Sequence, residues 1–115
     1  IDYIICADIL EHLKDTERFI KLLSLYMSSN SECVLLVSFP NITYYGVIHE
    51  LMHGSFKYRE LGILDNTHLR FYDKFELAAI FNDLSFKIES LESVVVPPED
   101  SEFKIEASKQ VIDLL

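Results

Sequence analysis

The chain opens on a nearly unbroken apolar run, Ile1 to Ala7 (IDYIICA), and returns to one at Cys33 to Phe39 (CVLLVSF). Short runs of this kind, rich in β-formers and bounded by polar residues, predict strands buried on both faces of a parallel sheet. The first begins with no turn or cap ahead of it. The second stops at Pro40-Asn41, because proline takes no part in a ladder and pushes its predecessor toward extended backbone. Between the two, Asp15-Thr16-Glu17 reads as a helix start, with Asp15 as N-cap and acid in the first turn. Phe19, Leu22, Leu23, Tyr26 and Met27 follow at helical spacing and predict one apolar face, and Ser28 to Ser31 predicts a turn.

Past Pro40 the period stays helical. A second helix is predicted over about 43–53, with Gly54 as its C′ residue and Tyr44, Val47, Ile48, Leu51 and Met52 as its apolar face. The stretch Ser55 to Leu69 is less regular. A third helix opens on the capping-box pair Asp73 and Glu76 and turns Leu77, Ile80, Phe81 and Leu84 inward. Phe86, Ile88 and Val94-Val95-Val96 predict one strand or two short ones, stopped by Pro97-Pro98. A last helix is expected from Ser101 to the end, with Phe103, Ala107, Val111 and Leu114 on one side. Strands alternating with helices mean βαβ crossovers, so the fold class is α/β: a mainly parallel sheet with flanking helices. One domain covers 1–115, with its core over 1–96 and an acidic turn and helix over 97–115.

Composition narrows the function. Half of the 115 residues are hydrophobic and a quarter charged, which is globular rather than disordered. The net charge of −9 argues against a nucleic-acid partner, which calls for a basic stripe, and against an anionic membrane surface. No apolar run approaches a membrane span and no signal peptide is seen, so a cytoplasmic location is expected. Cys6 and Cys33, each in an apolar run, read as buried free thiols rather than a disulfide or a metal pair.

Three segments carry a resemblance. Cys6-Ala7-Asp8-Ile9-Leu10-Glu11-His12-Leu13-Lys14-Asp15 resembles the D-x-L-E-H-L-x-D stretch after the fourth strand of class I S-adenosylmethionine (SAM)-dependent methyltransferases. Val37-Ser38-Phe39-Pro40-Asn41 resembles the ending of their fifth strand. Gly62-Ile63-Leu64-Asp65-Asn66-Thr67-His68-Leu69-Arg70-Phe71-Tyr72 is similar to a G-I-L-D-x-T-H-L-R-F-F segment of a subset associated with sugar and cell-surface glycan synthesis. Order and spacing agree over roughly residues 1–90. The resemblance implies the C-terminal portion of a Rossmann-like domain, lacking the N-terminal strands. The family's G-x-G-x-G loop has no counterpart, since Gly46, Gly54 and Gly62 stand apart, and the acidic ribose-binding residue is missing too. The usual P-G-G turn before the fifth strand is replaced by Ser29-Asn30-Ser31.

What the resemblance implies for the site follows from the fold. Ligands of open parallel sheets bind beyond the carboxyl ends of the strands, at a reversal of strand order. Ala7, Asp8 and Leu10 would then line the cofactor SAM, and His12 is the candidate catalytic base or acceptor-positioning group. Pro40, Asn41, Asp65, His68 and Arg70 would face a small-molecule acceptor, with a sugar or glycan precursor as the candidate class. The local alternatives are a backbone-bonded His12, an Asp8 that caps the next turn, and an Arg70 ion-paired with Asp65. Tyr44, Tyr45 and Tyr58 line a pocket or belong to the core. No resident metal is expected, and the chain without the glycine loop is expected to be inactive by itself.

Two further readings compete. The open edge of Ile1–Ala7 predicts a homo-oligomer through strand edges, and with it a non-catalytic oligomerising or binding module. His49-Glu50-Leu51-Met52-His53 fits H-E-x-x-H, the pattern of a zinc hydrolase. Against it, the helical wheel places His49 and His53 largely opposite the apolar face, as a solvated pair, and no third ligand follows.

Overall fold

The computed structural model describes residues 2–94, 96, 101 and 103. Their order is β1 (Tyr3–Ala7), a single 3-10 turn (Leu10–His12), α1 (Thr16–Met27), β2 (Val34–Ser38), α2 (Tyr45–Met52) and α3 (Lys74–Asp83). Strands β1 and β2 pair in parallel, from Tyr3 opposite Val34 to Ala7 opposite Ser38, with α1 as the crossover between them. The described fold is thus a small α/β unit built on a two-stranded parallel sheet. Among the described residues no helix is long and apolar enough to cross a membrane.

The helix boundaries have local causes. The Asp15 carboxylate accepts from the Arg18 amide and starts α1, while Asp73 accepts from the amides of Phe75 and Glu76 and starts α3. Helix α2 ends at Gly54, whose φ of 75° lets the Ser55 amide reach back to the Glu50 carbonyl.

Two apolar clusters hold these elements. Leu10, Ile20, Tyr72, Leu77 and Phe81 form the first, between α1, α3 and one face of the sheet. Val47, Leu64 and Phe103 form the second, joining α2 to the irregular segment before α3. Gly46 belongs to this contact: a Cβ there would come within 2.6 Å of the Phe103 ring.

The structure corrects several sequence expectations. The strands are not buried on both faces. Cys6 is buried, but Tyr3, Ile5 and Leu36 on the opposite face are all exposed. Helix α1 turns Thr16 and Ile20 inward, whereas Leu22 and Tyr26 of the predicted face are exposed. The seam is rotated because Ile20, with its partly buried neighbour Phe19, is what meets the sheet and α3. Helix α2 buries Gly46, Val47 and His49 and exposes Leu51 and Met52, so His49 is not solvated. The close Gly46–Phe103 contact fixes that rotation. Residues 86–94 form no strand. Ser85 takes a left-handed conformation (φ 67°) and Phe86 plugs edge-on against Phe81, with ring centroids 5.2 Å apart. A cavity of about 630 Å³ separates the residues that follow from β2, so no ladder closes. The predicted last helix lies outside the described residues, apart from Ser101 and Phe103.

Candidate functional site

The carboxyl end of β1 passes into a tight turn. Asp8 has a φ of 51°, and its amide donates to the Ser38 carbonyl at 3.1 Å and the Ser38 hydroxyl at 3.2 Å. This reversal lays the 3-10 turn across the sheet end. Leu10 then points into the core, while Glu11 and His12 point toward the irregular segment 62–70.

That segment is held from three sides. Arg59 and Asp65 form a bridge, with the Arg59 amide donating to Leu64 and the Asn66 amide donating to Arg59. Asp65 organises the next residues by accepting from both the amide and the hydroxyl of Thr67, at 2.7 and 2.6 Å. The amides of Leu69 and Arg70 both donate to the Glu11 carbonyl, at 2.7 and 3.1 Å. Two stretches far apart in sequence are thereby locked together.

The result is a small polar cluster of Glu11, His12 and His68. The two imidazoles meet edge to face at 4.8 Å between centroids. The Glu11 side chain is 2% exposed, and neither carboxylate oxygen has a hydrogen-bond partner among the described residues. Its Oε1 lies 3.8 Å from His12 Nε2 and 4.0 Å from His68 Nε2. Burial pushes the Glu11 carboxyl above its ordinary range and the charge of Asp8 adds to that; its own backbone amide and the two imidazoles pull the other way. The hydrogen bonds of Thr67 hold the Asp65 carboxyl below its ordinary range.

The residues expected from sequence divide into two groups. Ala7, Asp8, His12, Asp65 and His68 belong to this end of the sheet. Leu10 is spent on the core, so its side chain does not face the opening. Arg70 forms no ion pair with Asp65; its guanidinium donates to the Lys14 carbonyl at 2.9 Å. Asn41 accepts from the amide and hydroxyl of Thr43 and follows Pro40 at the end of the neighbouring strand. Tyr44 and Tyr45 direct their hydroxyls at the Val96 carbonyl. Tyr58 is an exposed neighbour of Phe56 and Phe71. Glu11 is absent from the residues singled out in the sequence, although it sits inside the quoted D-x-L-E-H-L stretch. A glutamate four residues past the end of an apolar strand and next to a histidine is the signal that would have found it.

Among the described residues the H-E-x-x-H pattern gathers no group of three metal ligands. Glu50 is ion-paired to Arg59, and His53 Nδ1 sits 2.8 Å from the His49 carbonyl. Neither a scan against protein-family models nor a search of curated proteins returns a match. The chemistry is therefore read from the residues themselves.

Proposed function

We propose that this chain is the acceptor-facing part of a class I SAM-dependent methyltransferase domain of Rossmann-like fold. One observation carries the reading. The two segments on which the resemblance mainly rests, 6–15 and 62–72, meet at the carboxyl ends of a parallel strand pair, where ligands of open α/β sheets bind. Segments that resemble one family but lay on different faces would carry no such reading.

In this reading SAM supplies the reactive methyl group, and the protein supplies orientation and a shaped site. Ala7 and Asp8 border the cofactor's methionine end, while Pro40 and Asn41 close the side of the acceptor. His12 is the base: its Nε2 takes the proton that an acceptor hydroxyl or amine loses as the methyl leaves the sulfonium. Glu11, buried beside that ring, favours the imidazolium that results. The acceptor is a small molecule, with a sugar or glycan precursor as the class suggested by the resemblance of segment 62–72.

A second reading is supported by the open apolar face of Tyr3, Ile5 and Leu36, which suits self-association. The two are compatible, since a second copy on that face leaves the strand ends free. Calorimetric titration of the purified chain with SAM and with its demethylated product tests the first reading. Saturable binding of both supports it, and heat of dilution alone up to millimolar ligand removes the isolated chain from the working enzymes.

A further inference from the structure

We infer that Glu11, His12 and His68 form a binding site for a divalent transition-metal ion. The site does not depend on the methyltransferase reading, and with an ion bound His12 Nε2 is its ligand and is no longer free to act as the base. One ligand atom from each residue lies within 4.8 Å of the others, the one such group of three among the described residues.

The hydrogen bonds around the two histidines decide which nitrogens face inward. His68 Nδ1 lies 2.9 Å from the Ile63 carbonyl, which only accepts, so Nδ1 carries the hydrogen. Thr67 Oγ1 lies 3.4 Å from His12 Nδ1 and spends its single hydrogen on Asp65. Toward His12 that oxygen therefore accepts, and Nδ1 of His12 carries the hydrogen as well. In both neutral rings Nε2 is then left as a lone pair, and both Nε2 atoms face Glu11 Oε1.

Two lone pairs and a buried carboxylate without a hydrogen bond converge on one point. Such groups repel while the carboxylate is ionised, and a cation held between them removes that repulsion. Donation of the second ring nitrogen to a carbonyl or a hydrogen-bonded side chain is also how proteins fix a metal-ligating histidine. Around a tetrahedral ion with bonds near 2.0–2.1 Å, donors stand about 3.4 Å apart. The separations, 3.8 and 4.0 Å from Oε1 and up to 4.8 Å across the set, are wider, so binding draws the side chains inward. Two imidazoles and one carboxylate suit zinc and its first-row neighbours, whereas magnesium prefers oxygen ligands. The side chains of His68 and Glu11 are 6% and 2% exposed, but that of His12 is 41% exposed and leaves an entry path for the ion.

The test is calorimetric titration of the chelator-stripped full chain with Zn2+, and separately with Mg2+. Zn2+ is expected to bind at one site per chain and Mg2+ not to saturate. His12→Ala lies on the exposed side and leaves the core intact, and Glu11→Gln keeps the side-chain shape. Each is expected to weaken Zn2+ by about 100-fold or more, since loss of an outer-shell partner alone costs roughly 10- to 100-fold. His53→Ala, in the other histidine pair, is expected to leave binding unchanged. Absence of saturable Zn2+ binding, or binding kept in both H12A and E11Q while circular dichroism shows them folded, would overturn the site.

Discussion

The Tyr72 hydroxyl donates to Thr16 Oγ1 at 2.6 Å, and Thr16 in turn donates to the Leu10 carbonyl at 3.3 Å. This buried chain ties the segment before α3 to the start of α1 and to the turn that carries Glu11 and His12. Tyr72→Phe removes one bond and is expected to cost about 1 kcal/mol. Thr16→Val takes the acceptor from the buried Tyr72 hydroxyl and leaves the Leu10 carbonyl only the Leu13 amide, and is expected to cost more, roughly 1–3 kcal/mol. Urea unfolding of the two variants checks the order; equal stability to the parent would deny the chain any structural weight.

The second cluster is expected to be destabilised both by lost and by added volume. Leu64→Ala empties a fully buried position and is expected to cost roughly 2–5 kcal/mol. Gly46→Ala instead drives a methyl into the Phe103 ring and is expected to cost about 1–3 kcal/mol. The same unfolding experiment reads both, and a neutral G46A would mean that Phe103 does not rest on that helix.

The uncovered sheet face makes self-association the expected state. Light scattering should give a mass of a multiple of 13.4 kDa, and Ile5→Lys on the exposed face should return it to the single-chain value. A parent chain that already scatters as a monomer contradicts this.

The two thiols should separate by reactivity. Cys6 is buried in β1 and burial pushes its thiol up, so little thiolate is present and little is reachable. Cys33 precedes β2 and is half-buried. Disulfide-exchange labelling of the native chain is expected to modify Cys33 first and Cys6 only with unfolding; equal rates would place Cys6 nearer the surface than its packing shows.

Much of this architecture was legible in the sequence because it is locally coded. Asp15 and Asp73 announce helix starts through their own side-chain bonds, and Gly54 announces a stop through its backbone freedom. What was not legible depends on partners. The buried side of α2 is set by Phe103, far along the chain, and not by the helix's own most apolar stripe. The residues after Phe86 have β-forming side chains but line a cavity shared with β2 rather than pairing with it. Likewise, His12 and His68 were each visible as candidates, yet only the double donation from Leu69 and Arg70 to Glu11 shows that they share one site.

The carboxyl ends of β1 and β2, with segment 62–70, are proposed to form one ligand site for SAM chemistry. Amide-resolved NMR titration of the chain with the demethylated cofactor tests it most directly, because it detects weak binding and locates it. Shifts confined to residues 7–12, 38–41 and 65–70 are expected. No shift at millimolar ligand, or shifts centred instead on the cavity beside Phe86, would contradict it.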